Sequence, residues 1–376
     1  MMIQRSMMKK SISRALVIAA APVLFVALGA GTALARPASG SPPPPKGFEA
    51  DAVSFVTAKT GFVLGARGCS ILPCDARAEK TVNGGKAWTK VSTPAVKLVP
   101  TFTSSPASAV SGVTFATSSD GWLFGPALWS TTDGGSRWHR ITLPGAVIAM
   151  AASPTVALAA VEPAEGGLLN AKLYLSQVGS GKWRLVKGVS PDNALTISGK
   201  SIWAGIAPQL WTSTDNGKHW TKLSFKCQKP DISASQVAAA SPKDIAIACS
   251  NQGYPQPGFS QKEVFTSSNG GKTFRKQGQP PEPGQVYELV MPPGKPKIIT
   301  MASASGASYL YQSFNGGKTW GSTTYFDGGL NFRDLAYASG TTGYVVHYNG
   351  GPVIAYTDGL LKTINSGKTW KKVALP

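Results

Sequence analysis

The chain is poor in the residues that chemistry most often needs. Of 376 residues only three are histidine (His139, His219 and His347), four are cysteine and 18 are Asp or Glu. A zinc centre needs about four converging ligands, so no metal site is expected. No Gly-x-Ser-x-Gly, His-Glu-x-x-His or phosphate-loop pattern occurs. The signatures of acyl transfer, metallopeptidase and nucleotide chemistry are therefore missing, and no cofactor is expected. Past residue 35 no apolar stretch is long enough to span a bilayer. Negative charge is also scarce: 37 Lys and Arg leave a net +19. Nucleic acid is still a poor partner, because the chain reads as exported and no aromatic–basic cluster resembles a base-stacking platform.

The export reading rests on the N-terminus. Arg5, Lys9, Lys10 and Arg14 precede an apolar run from Ala15 to Ala35, which ends in an Ala33-Leu34-Ala35 cleavage pattern. This predicts a signal peptide over 1–35; an uncleaved anchor is the alternative, with Pro22 and Gly29–Gly31 against it. Residues 36–46, with four consecutive prolines at Pro42–Pro45, read as a semi-rigid spacer. The globular part spans 47–376. An even cysteine count in an exported chain favours disulfides, and the expected pairs are Cys69–Cys74 and Cys227–Cys249.

What the chain has in abundance is one phrase, repeated. It reads Thr81-Val-Asn83-Gly-Gly85-Lys-Ala-Trp88, then Thr131-Thr-Asp133-Gly-Gly135-Ser-Arg-Trp138. It returns around Asp215 and Trp220, Asn269 and Phe274, Asn315 and Trp320, and Asn365 and Trp370, with a worn copy ending at Trp183. The closing aromatics stand 50, 45, 37, 54, 46 and 50 residues apart. The Asx side chain can bond backbone N–H groups just ahead of it, and Gly supplies the positive φ of a tight turn. Alternating apolar and polar flanks make each copy a hairpin. A fainter phrase precedes each one, as in Val53-Ser-Phe55…Gly61-Phe-Val-Leu-Gly65 and Val113-Thr-Phe115…Gly121-Trp-Leu-Phe-Gly125. It supplies two more strands. Seven units of four strands, A to D, predict an all-β, seven-bladed β-propeller of four-stranded antiparallel blades. The blades are expected in phase with the chain, so that no strand is shared between the termini.

The phrase resembles the Asp-box (bacterial neuraminidase repeat) of sialidases, sortilins and photosystem II assembly factors, and the paired A–B phrase is most similar to the last of these. The resemblance implies a structural role for Asn83, Trp88, Asp133, Trp138, Asp215, Trp220, Asn269, Phe274, Asn315, Trp320, Asn365 and Trp370, each tryptophan being buried against its own turn. It also implies two functional readings. One is a secreted, non-catalytic propeller that holds a protein, peptide or glycan of the cell envelope, as the assembly factors hold a polypeptide. The other is a sialidase-like, glycan-directed hydrolase. A sialidase needs three arginines for the substrate carboxylate, a Tyr–Glu nucleophile pair and an Asp acid/base. The family's Phe-Arg-Ile-Pro phrase is absent here; Phe55 is followed by Val-Thr-Ala. No carboxylate pair stands at a spacing suggestive of glycoside hydrolysis.

Strand alternation places the A–B and C–D turns on one face and the B–C loops and D–A links on the other. The turn face repeats itself, with Lys86, Lys218, Lys272, Lys318 and Lys368 at one position of the phrase. This basic rim offers weak contact to polyanions, although lysine there also serves to keep an outer edge soluble. The loop face is irregular, and variable loops on a rigid scaffold are where binding residues collect. Its polar and aromatic members are the candidate ligand residues: Arg67, Arg77, Tyr254, Phe259, Tyr325, Asp327, Arg333 and Tyr348.

Overall fold

A computed structural model describes residues 47–376 apart from 70–71, 100–106, 164–169, 192–193, 206–209, 230–232, 252–257, 306, 322–325, 329–330 and 349–358. The predicted leader and spacer lie outside the described residues. Seven four-stranded antiparallel sheets follow one another along the chain, each with its strands in sequence order. Every strand A touches the strands A of the blades on either side, from Phe48–Phe55 of blade 1 round to Asn331–Tyr337 of blade 7 and back. The seven strands A therefore form the inner ring of a seven-bladed β-propeller, and the strands D form its rim. Among the described residues no helix is long and apolar enough to cross a membrane.

Six of the turns joining strands C and D share one hydrogen-bond network. Thr131 Oγ1 accepts the Gly135 N–H at 2.9 Å and donates to Asp133 Oδ1 at 2.9 Å, and Asp133 Oδ1 accepts the Arg137 N–H at 2.9 Å. The same bonds recur at Thr81, Ser213, Ser267, Ser313 and Thr363. Asn and Asp differ in what they add. Asn269, Asn315 and Asn365 donate through Nδ2 to the threonine four residues on. Asp215 instead pairs with His219 at 2.6 Å. The His219 N–H and ring together hold the Asp215 carboxyl well below the usual carboxylate range.

The second glycine of the turn is required by close approach as much as by its φ. A Cβ on Gly135 would collide with Val91 of blade 1, and one on Gly85 with Val373 of blade 7. The turn thus presses on the preceding blade, and this corrects the expectation for the tryptophans. Trp88, Trp138, Trp220, Trp320 and Trp370 are half-buried rather than buried. Trp138 Nε1 donates to Ser92 O of blade 1 at 2.8 Å, and Trp88 Nε1 to Ala374 O beyond blade 7 at 2.9 Å. Trp220 alone of the three bonds its own turn, at Gly217 O.

The A–B phrase also acts between blades. Phe55 and Phe115 each cover the glycine opposite on strand B, Gly61 and Gly121. Phe115 then stacks on Phe62 of blade 1, and Phe55 on Tyr344 of blade 7, both at 3.4 Å between ring centroids. Blades 7 and 1 close as the in-phase reading expects, without a shared strand. Phe48 N–H donates to Pro376 O at 2.9 Å, Tyr344 Oη to Ala58 O at 3.1 Å and Lys362 Nζ to Gly84 O at 2.8 Å.

Because Trp138 is half-buried and hydrogen-bonded across a blade boundary, its truncation has two separable parts. Trp138→Ala is expected to cost roughly 2–3 kcal/mol, below the range for a fully buried aromatic, and Trp138→Phe about 1 kcal/mol for the lost bond to Ser92. Urea midpoints of the two variants check both values. Equal losses would mean that the hydrogen bond carries the whole contact.

Candidate functional site

The inner ring holds a charged cluster that the sequence did not suggest. Asp51 occupies a bulge in strand A of blade 1, between Ala50 and Ala52. Its carboxylate pairs with Arg333 Nη1 at 2.9 Å, and Arg333 Nη2 also donates to Ser111 O, at the start of blade 2. Asp334, in the left-handed region at φ 53°, accepts the Val53 N–H at 2.8 Å. Glu288 of blade 6 accepts the N–H groups of Asp334 and Leu335. The side chains thus cap the next blade's backbone in succession, from blade 6 to 7 to 1, and Ser54 continues by accepting the Phe115 N–H of blade 2.

Three carboxylates therefore face one guanidinium. Burial pushes Asp51 up to about 6 against the pull of Arg333. Burial, with the Asp334 charge added, pushes Glu288 up to about 8. Asp334 is raised as well, again by burial. The sequence reading puts Arg333 in a loop as a ligand residue. It lies instead on the inner strand, 8% exposed, and is committed to two other blades.

On the loop face, the two long insertions around blade 1 fold against each other. Cys74–Asp75 pairs with Lys97–Leu98 in a small extra sheet, and Leu72, Ala76, Val96, Leu98 and Val110 pack beneath it. The Cys69–Cys74 disulfide ties the B–C insertion, as expected. Beside this knob is a cleft of about 450 Å³ lined by Asp75, Arg77, Lys90, Ser92 and Thr93 among others. Glu79, buried just behind, sits among Arg67, Lys90 and Arg77. Burial raises the Glu79 carboxyl and the three cations oppose that rise. Arg67 and Arg77 are thus brought together, one exposed and one half-buried, at the ends of strands B and C.

Phe259, Asp327 and Tyr348 lie on other blades. Phe259 is half-buried and bridges Pro283. Next to it Lys262, fully buried, donates to Pro281, Glu282 and Pro283 carbonyls at 2.8, 2.7 and 3.1 Å. Burial lowers its ammonium to about 7. Lys262 therefore fastens the link between blades 5 and 6. Its neighbour Glu263 fastens the preceding link, accepting the Gln228 and Lys229 N–H groups and Lys276 Nζ, beside the Cys227–Cys249 disulfide. Asp327 lies within strand D of blade 6, opposite Ser308, and Tyr348 ends strand B of blade 7. Tyr254 and Tyr325 fall outside the described residues. Among the described residues no group of His, Cys, Asp and Glu is placed to hold a metal ion.

No protein-family model matches the chain, and no curated protein sequence does. Solved structures do match its fold. YCF48 bound to a D1 peptide superposes with a TM-score of 0.53 at 17% identity, covering 86% of this chain and 93% of that one. YCF48 from Cyanidioschyzon merolae gives 0.51 at 17%, covering 86% and 97%. The GH74 xyloglucanase from Xanthomonas campestris gives 0.51 at 15%, covering 86% and 60%.

The inner-ring carboxylates carry a pH signature. A carboxyl whose pKa is higher folded than unfolded holds extra proton in the folded state between the two values, so stability falls as pH rises through that window. For Glu288 the window runs from 4.5 to about 8, and for Asp51 from 3.8 to about 6. Stability is expected to decline from about pH 5 to about pH 8. Glu288→Gln, which removes one ionisation, should flatten that decline. Urea midpoints measured across the range check it; parallel profiles for the two proteins would show that Glu288 stays ionised throughout.

Proposed function

We propose that this chain is an exported, non-catalytic propeller that holds a polypeptide partner on its loop face. The carrying observation is the cleft on blade 1, where Arg77 and Lys90 line an opening stiffened by the Cys69–Cys74 disulfide and the paired insertion. A stiffened rim lowers the ordering cost of binding. The cations and the hydroxyls of Ser92 and Thr93 suit an extended segment with backbone carbonyls and acidic side chains. That a YCF48 of the same architecture has been seen with a D1 peptide supports a peptide occupant over a glycan. Two disulfides favour an oxidising compartment, in keeping with the predicted leader and with the cell envelope as its place. The repeated turns are read as Asp-boxes in a structural role, since their hydroxyl–Asx–Gly networks are spent on the turn itself. The hydrolase reading gains no support from Asp51, Glu288 and Asp334, because each is engaged in capping or pairing.

The test starts from partner capture in a cell-envelope extract, followed by titration of tiled peptides from the captured protein. The combined Arg67→Gln and Arg77→Gln variant is expected to weaken peptide binding at least about tenfold, the size of one or two lost charge-assisted bonds. Lys218→Gln with Lys272→Gln, on the turn face, should leave it within about twofold. Unchanged affinity in the arginine variant would move the site off this cleft.

A further inference from the structure

The repeated turns are alike in fold but not in what they show to solvent. The second residue of each phrase points away from the scaffold. In blades 2, 4 and 5 it is Thr132, Thr214 and Ser268, all exposed. In blades 6, 7 and 1 it is Phe314, Ile364 and Val82, which are 43, 70 and 65% exposed. These three blades are consecutive around the ring. The arc is continuous, since Lys368 of blade 7 lies over the Phe314 ring of blade 6 at 5.9 Å and Lys362 of blade 7 bonds Gly84 of blade 1.

Charge divides along the same line. The A–B and C–D turns of blades 6, 7 and 1 contain Lys59, Lys86, Lys295, Lys297, Lys318 and Lys368 and no acidic residue. Those of blades 2, 4 and 5 mix Asp120, Asp133, Asp215 and Asp244 with Arg137, Lys200, Lys218, Lys243 and Lys272, and those of blade 3 hold Lys182 alone. One arc of the turn face is thus both apolar at its tips and purely cationic around them.

We propose that this arc is a docking surface for an anionic lipid bilayer. Val82, Phe314 and Ile364 enter the interface between headgroups and acyl chains, and the flanking lysines meet the lipid phosphates. Apolar burial together with attraction to anionic headgroups is what binds a peripheral protein to a membrane surface. A soluble polyanion would use the lysines and leave the three tips in water. The arrangement would set the propeller turn face down on the bilayer and leave the loop face open to a partner.

Residues 42–376 form a compact unit of their own, so that segment can be tested without the apolar N-terminus. Sedimentation with phosphatidylcholine vesicles containing about 30 mol% phosphatidylglycerol should show binding that pure phosphatidylcholine does not support. Val82→Thr, Phe314→Thr and Ile364→Thr together copy the residue of blades 2 and 4, so the fold is kept. They should weaken vesicle binding at least about tenfold. Lys86→Gln, Lys318→Gln and Lys368→Gln together should weaken it on the order of 100-fold, whereas Lys182→Gln, Lys218→Gln and Lys272→Gln in blades 3 to 5 should change it by no more than about twofold. Equal binding to neutral vesicles, an unaltered threonine variant, or equal losses from the two lysine sets would each overturn the proposal. The second and third of these would mark a diffuse electrostatic contact instead.

Discussion

A four-stranded blade has two apolar faces and can cover them only with other blades, so everything in this molecule depends on the ring being closed. Many ring proteins could close by sharing a strand between the two ends of the chain. Here the blades are in phase, and the seam between blades 7 and 1 is held by side chains. A common core joins Phe48, Ala50, Val53 and Val63 to Tyr344, Val346, Leu360 and Val373. Around it lie the Phe55–Tyr344 stack, the Pro376 carbonyl and the Asp51–Arg333 pair. The N-terminal and C-terminal blades thus meet through one apolar interface flanked by polar bonds at both ends. Such a seam is satisfied only when the whole ring is complete.

The same logic explains the repeated turn. Its hydroxyl, Asx and glycine groups consume each other's hydrogen bonds, which fixes the turn without outside help. The fixed turn then pushes its second glycine and its aromatic against the preceding blade. An element that is locally complete and used as a spacer between neighbours has little chemistry left over. Its second residue and its lysine are left facing solvent, and on three adjacent blades they present apolar tips among cations.

The inner ring follows a different rule. Strands A do not pair with each other, and some of their backbone N–H groups face the neighbouring blade. Glu288, Asp334 and Ser54 accept those groups in turn. The arrangement concentrates carboxyl groups where water is scarce, which raises all three, and the Arg333 guanidinium pulls against that rise. Two of the acids, Glu288 and Asp334, also satisfy backbone donors, and an unsatisfied buried donor costs about 1–3 kcal/mol. Arg333 is therefore a girder of the ring, even though its sequence context at the edge of an irregular stretch suggested a ligand contact.

The sequence determined the architecture. A phrase repeated seven times, six copies complete in their own turn chemistry and one worn, dictates seven hairpins whatever the rest of the chain does, because Asx, Ser/Thr and Gly act within eight residues. Both disulfide pairs were readable for a similar reason, since the cysteines were few and the count was even. The sequence could not show which residues meet across blades. That Trp138 reaches Ser92, that Glu288, Asp334 and Asp51 converge, and that Lys262 is caged by three carbonyls are facts of tertiary packing. The one hint was the presence of acids, Asp51 and Glu288 among them, on inner strands of a chain with few acids. Of the candidate ligand residues, Arg67 and Arg77 come together because strands B and C pair in register, with Gly65 opposite Arg77. Arg333 was drawn away because the ring, which only the closed structure creates, needed its charge inside.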